Sequence, residues 1–186
     1  MARHLRRLGH EVTVVACDAW GRLPDDAELD VVRVGDLRSA RPLRRLLRRG
    51  KLLVAGDEGT LEAPPTALLT KVFVPDMHVV TWLPGLLVAL RRLVDRDAID
   101  CLVTTSPPET AHVAGLMLGA RRPAWIADFR DGWTFEPWRD PFPTSAQRTL
   151  DTWLERRVAQ AAQVTIGATR PIAEDLARRL GARAAW

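Results

Sequence analysis

At 186 residues, with 47% hydrophobic and 27% charged side chains, the chain has the size and composition of one globular domain rather than of a disordered segment. Its longest apolar run, 79–90, is interrupted by Pro84 and Gly85 and falls short of the roughly 18 residues a membrane-spanning helix needs. The net charge of +4 is modest, and among the 27 basic residues only Lys51 and Lys71 are lysine, so arginine carries whatever basic surface exists.

In chain order, residues 1–8 read as a helix with Leu5 and Leu8 on one face, ended by Gly9. The apolar part of this opening is short, alternates with polar residues and lacks a cleavage site, so it is not a secretory leader and a cytoplasmic location is expected. "EVTVVAC" (11–17) and "DVVRV" (30–34) read as strands. Residues 38–49 read as a basic amphipathic helix: Leu43, Leu46 and Leu47 share a face, ringed by Arg41, Arg44, Arg45, Arg48 and Arg49. Such a helix either meets an anionic membrane surface or fills the helix layer over a sheet. "GDEGTLEAPP" is a loop by composition, and "VFVPDMHVVTW" (72–82) reads as a short strand or a docked loop.

A regular alternation follows: helix 84–96, strand 100–105, helix 109–120, strand 124–129, helix 144–161, strand 163–168, helix 171–180. Thr144 and Ser145 mark one helix start, Pro171 sits in the first turn of the last helix, and Gly181 stops it. Strands that are apolar throughout and separated by helices predict an α/β domain built on a parallel sheet with helices on both faces. Cys17 and Cys101 lie at or beside strand-like runs and read as buried free thiols. Four scattered histidines lack ligand spacing, so neither a metal nor a cofactor site is expected.

The most unusual stretch is "AWIADFRDGWTFEPW" (124–138), where an apolar strand ends in Asp128, Arg130 and Asp131 and aromatic residues follow. Parallel sheets place ligands beyond the carboxyl ends of their strands. "TTSPP" ends the strand before it, so Ser106 and the Asp128–Asp131 segment are expected side by side at one cleft. Alternation puts Asp128 and Arg130 on one side and Phe129 and Asp131 on the other. The competing structural reading is an Asp–Arg–Asp cluster that merely pins the loop before Trp133.

Several segments together are similar to the N-terminal domain of family 4 glycosyltransferases, enzymes of the two-domain GT-B fold: "ARHLRRLGHEVTVV", "VPDMHVVTWLPGLLVAL", "IDCLVTTSPPETAHVAGLML", "PAWIADFRDGW" and "ERRVAQAAQVTIGATRPIAEDLARRLG". "TSPP" with "ADFRDGW" is the more specific pair, and the likeness points to a bacterial subset that builds cell-surface polysaccharides and related glycoconjugates. It implies a Rossmann-like sheet of order 3-2-1-4-5-6. The family's first, central strand and its glycine turn would precede residue 1, leaving strands 11–17 and 100–105 without their shared neighbour. They would then either rejoin or keep open edges. It also implies that 1–186 is a single, incomplete N-terminal, acceptor-side domain, because the donor-binding Glu-x7-Glu motif belongs to a C-terminal domain and no two Glu here have that spacing. The fragment alone is then expected to be inactive.

From the resemblance come the expected roles. Asp131 would bind or deprotonate the acceptor hydroxyl, and Arg130 would balance phosphate charge. Ser106, Asp128, Trp133 and His112 would bind substrate, with Trp133, Phe135 and Trp138 as sugar-stacking candidates or as a packed aromatic loop. Pro137, Pro141 and Pro143 stiffen that loop. His112 alone reads equally as a structural histidine on a helix near the cleft. Asp76 and Trp82 match a family feature with no derivable role beyond packing. Expected partners are a nucleotide-sugar donor, held by the other domain, and a glycan or lipid-linked acceptor, with inner-leaflet membrane contact through 41–53. Nucleic acid is not expected, because no aromatic residues interleave the basic ones there. A non-catalytic basic α/β module on a membrane or nucleic acid is the alternative. A dinucleotide-binding enzyme is disfavoured, since no Gly-x-Gly-x-x-Gly follows any strand.

Overall fold

The computed structural model describes residues 1–18, 29–36, 71–137 and 139–186. The expectations for the basic helix at 38–49, the membrane contact through 41–53, the loop at 56–65 and Trp138 lie outside the described residues.

Helix α1 (Ala2–Arg7) leads through Gly9 into strand β1 (Thr13–Cys17), which pairs in parallel with β2 (Asp30–Val34) from Thr13↔Asp30 to Cys17↔Val34. The segment expected as strand or docked loop is instead a turn followed by a short helix, α2 (His78–Thr81), running into α3 (Leu83–Arg96). The apolar residues of 79–90 repeat at helical spacing, and Leu83, Leu86, Leu87, Leu90 and Leu93 form the buried stripe of α3, so helical burial overrides the β-branched run "HVV".

A second parallel sheet has the order β3 (Cys101–Ser106), β4 (Ala124–Phe129), β5 (Val164–Gly167), β6 (Ala184–Ala185). Its crossovers are α4 (Thr110–Met117), α5 (Ser145–Ala161) and α6 (Arg170–Leu180). Helix α5 starts at the expected Thr144, whose side chain accepts from the Gln147 backbone N–H while the Gln147 side chain returns to the Thr144 N–H. Pro171 sits in the first turn of α6, and Gly181, at φ 68°, ends it.

The chain is therefore α/β, with parallel sheets flanked by helices in a Rossmann-like arrangement. Among the described residues the two sheets are separate: β1 and β3 form no ladder with each other, at the point where the resemblance puts a strand between them. Burial records the consequence. In β4, Trp125, Ala127, Asp128 and Phe129 are all buried, whereas Val14, Val15, Ala16 and Cys17 of β1 and Leu102 and Val103 of β3 stay half-buried. One hydrophobic core spans both sheets: Val34 joins the α3 leucines, Val113, Trp125, Phe129, Trp133, Val158 and Leu176. The two thiols are free, but Cys101 is exposed rather than buried and Cys17 is half-buried. Cys101 is the first residue of β3, at the uncovered amino end of the sheet, so the apolar run it belongs to does not protect it.

Candidate active site at the carboxyl ends of the sheet

Register brings three strand ends level: Ser106 of β3 pairs with Phe129 of β4, and Phe129 with Gly167 of β5. The Phe129 carbonyl accepts the Ala168 N–H at 2.8 Å, carrying the alignment one residue further. Gly167 is required here because α6 begins directly above it; a Cβ would stand 2.5 Å from the Ala173 backbone nitrogen. The loops at 107–109 and 130–137 thus leave adjacent strands on the same edge of the sheet.

Of the residues singled out from sequence, Arg130 and Asp131 are exposed immediately beyond β4. Ser106, Asp128, Trp133 and His112 are brought to the same end of the sheet but are buried. Asp128 accepts from the Thr105 hydroxyl at 2.8 Å across a directly paired position, which ties the first carboxylate to the sheet. Trp133 is 1% exposed and donates its indole N–H to Asp151 of α5 at 2.8 Å, so its ring belongs to the core; Phe135, 42% exposed, is the aromatic that meets solvent.

His112 stacks in this core, with its ring centroid 4.5 Å from that of Phe129 and 6.2 Å from that of Trp133. The Thr104 hydroxyl accepts the Trp125 indole N–H at 2.9 Å and is hydrogen-bonded to His112 Nδ1 at 2.7 Å. The other ring nitrogen, Nε2, has no hydrogen-bond partner among the described residues. Full burial with no counter-charge pushes the imidazole down to about 3, so it is neutral at physiological pH.

Behind the exposed pair lies a polar framework that sequence reasoning missed. Glu155, fully buried on α5, accepts from both the backbone N–H and the hydroxyl of Thr134. The same carboxylate takes two bonds from Arg179 of α6, at 2.7 and 2.8 Å, and Arg179 also holds Asp175. These carboxylates, Glu155 first, push the Arg179 guanidinium up from its ordinary value. Arg139 donates to the Pro75 carbonyl at 2.7 Å and to the Trp133 carbonyl, and lies 3.9 Å from Glu109. Asp76 accepts the Thr110 N–H at 2.9 Å, the Thr110 hydroxyl at 2.7 Å and the His78 N–H at 2.7 Å, which gives it a role beyond packing: it caps the first turn of α4 from another segment. Trp82 is buried in the core, as the packing reading expects.

Glu109 ends the "SPPE" turn beside Ser106, and burial pushes its carboxyl up against the opposing pull of Arg139. Burial likewise pushes Asp151 up, although the Trp133 N–H opposes it. Asp76 and Thr110 stand 34 positions apart, and Glu155 and Thr134 stand 21 apart, so no local spacing signals either contact. The i,i+4 spacing of Asp151 and Glu155 was a usable hint that both project inward from one face of α5. No three His, Cys, Asp or Glu side chains converge to hold a metal ion among the described residues.

The family model for the glycosyl transferase 4-like domain matches residues 1–185. The chain belongs to that family. No curated protein and no solved structure matches it. Membership makes it a domain of the glycosyltransferase class, for which a sugar donor and an acceptor are the general substrates. No described helix is long and apolar enough to cross a membrane.

Proposed function

We propose that this chain is the acceptor-side domain of a two-domain glycosyltransferase, incomplete as it stands, that moves a sugar from a nucleotide-sugar donor to a glycan or lipid-linked acceptor in cell-surface polysaccharide or glycoconjugate synthesis. The observation that carries the reading is that the one exposed Arg–Asp pair at the end of β4 stands beside the Ser106 turn, on the strand-end edge where parallel α/β sheets bind ligands, in a chain of this family. Among the described residues β1 and β3 each pair on one side only, and one strand between them would pair both, as the family's sheet order has it. A second domain would hold the nucleotide.

In this reading the acceptor hydroxyl oxygen attacks the anomeric carbon, the bond from that carbon to the diphosphate oxygen breaks, and its electron pair leaves with the diphosphate. Asp131 takes the hydroxyl proton or holds the hydroxyl in line. Arg130 offsets the charge that builds on the diphosphate. Ser106 ends β3 beneath the 107–109 turn that borders the acceptor, and Asp128, tied to Thr105 on the other face of the sheet, fixes the end of β4 from which Arg130 and Asp131 project. Trp133 and His112 form the wall beneath the 130–137 loop, and Glu155, Asp151 and Arg139 hold that loop still.

The test is sugar transfer by the full-length enzyme containing this domain, supplied with radiolabelled nucleotide-sugars and a glycolipid extract. Asp131→Asn should lower turnover by at least about tenfold with an unchanged unfolding midpoint, because the residue is exposed. Wild-type turnover in that variant would remove Asp131 from the mechanism.

A further inference from the structure

Helix α5 separates its charges by face. Its two acids, Asp151 and Glu155, point inward and are consumed by Trp133, Thr134, Arg139 and Arg179. Its three bases, Arg148, Arg156 and Arg157, all point outward. Among the described residues no carboxylate lies within ion-pair distance of any of the three. Between them stand two large apolar side chains that folding leaves in water: Trp153, 52% exposed, and Leu150, 45% exposed. Arg148, Thr149, Thr152, Trp153 and Arg156 line a shallow, open hollow on this face. Arg148 is pinned at its rim by bonds to the Phe142 and Pro143 carbonyls at 2.7 and 3.0 Å. At the amino end of the helix, Gln147 holds the carbonyl of Val72, adding another half-exposed aliphatic side chain to the same end.

A helix with three exposed cations that meet no carboxylate among the described residues, and an exposed indole on one side, matches the chemistry of a bilayer interface. Arginine heads meet anionic headgroups, threonines face the hydrated layer, and tryptophan and leucine reach the acyl boundary. A nucleic acid would use the cations and the indole but gains nothing from Leu150 and Val72, so lipid fits the whole set of side chains better. We propose that the outer face of α5 docks on an anionic membrane surface, with Trp153 as the inserted anchor and Arg148, Arg156 and Arg157 as the headgroup contacts. The proposal stands whether or not Asp131 proves catalytic. If both hold, docking and catalysis lie on opposite sides of one helix, since the inner face of α5 is what holds the 130–137 loop.

The experiment is co-sedimentation of the chain with vesicles of phosphatidylcholine alone or mixed with phosphatidylglycerol, over a salt series. The wild type should bind the mixed vesicles, release them as salt rises, and bind pure phosphatidylcholine far less. Reversing Arg156→Glu and Arg157→Glu together should weaken binding to mixed vesicles by at least about tenfold, at roughly fivefold per lost cation. Trp153→Ser should weaken it several-fold and remove the quenching of tryptophan emission by brominated lipid. All these side chains are exposed, so urea midpoints should not move. The milder Arg156→Gln, Arg157→Gln pair repeats the charge test should the reversal disturb folding. Three results would overturn the proposal: variants that bind mixed vesicles as tightly as wild type, equal wild-type binding to neutral vesicles, or a face used otherwise. The last would appear as a polynucleotide that displaces the vesicles at lower concentration, or as a dimer in sedimentation velocity that Trp153→Ser dissociates.

Discussion

Acidification from pH 7 to pH 5 should weaken this fold through one residue, His112. In the folded chain the imidazole is fully buried and held near 3, whereas in the unfolded chain it titrates near its ordinary value of 6.5. The folded value lies below the unfolded one, so the unfolded state binds the proton first. Stability is complete above pH 6.5 and is lost progressively as pH falls toward the folded value. Over pH 7 to 5 the difference in proton uptake amounts to about 2 kcal/mol, and to about 5 kcal/mol once pH passes below both values. Urea unfolding read by tryptophan fluorescence would report the first figure as a midpoint shift of roughly 1 M. His112→Phe supplies the control. It begins less stable at pH 7, because the Thr104 hydroxyl loses its bond to the ring, but it should lose about 2 kcal/mol less on the way to pH 5. Glu109 and Asp151, both pushed up by burial, act in the opposite sense: they take up protons more readily when folded, so they add stability as pH falls through their folded values. Being present in both proteins, they cancel in the comparison. Equal acid sensitivity of wild type and variant would refute a buried neutral histidine.

Two further perturbations test the framework. Glu155→Ala strips Thr134 of two bonds and leaves Arg179 with Asp175 alone, so it should cost about 3 kcal/mol, seen as a melting temperature lower by roughly 10 °C in a calorimeter. Gly167→Ala drives a methyl to 2.5 Å from the Ala173 backbone nitrogen, which cannot yield as a side chain would. It should cost about 2–3 kcal/mol in urea unfolding, and a smaller loss would mean that α6 can lift off the sheet.

The strand and helix sequence from 84 to 180 was legible because each element there carries its own period, cap or breaker. Thr144, Pro171 and Gly181 all act where sequence places them, through contacts within a few residues. The segment 72–82 was not legible, because a short β-branched run carries no period of its own and takes its form from the α3 leucines that follow it.

The candidate site divides in the same way. That Ser106 and the Asp128–Asp131 segment share one edge follows from strand order alone, since consecutive strands lying parallel side by side send their carboxyl ends to the same edge. What alternation along β4 could not decide is which side chains there meet solvent. That depends on α5 closing over the loop: Trp133 turns in to reach Asp151, and His112 is sealed between Phe129 and Trp133, while Phe135, Arg130 and Asp131 are left outside. The sequence by itself determined the class of fold, the family resemblance and the sheet edge at which Ser106 and Asp128–Asp131 gather, because these rest on local periodicity, motif and chain order. Only the tertiary structure decided the caps, anchors and exposed faces: Asp76 on Thr110, Glu155 on Thr134, the outward arginines of α5. Those depend on side chains distant in sequence meeting in a packed interior, where a buried charge must find a partner.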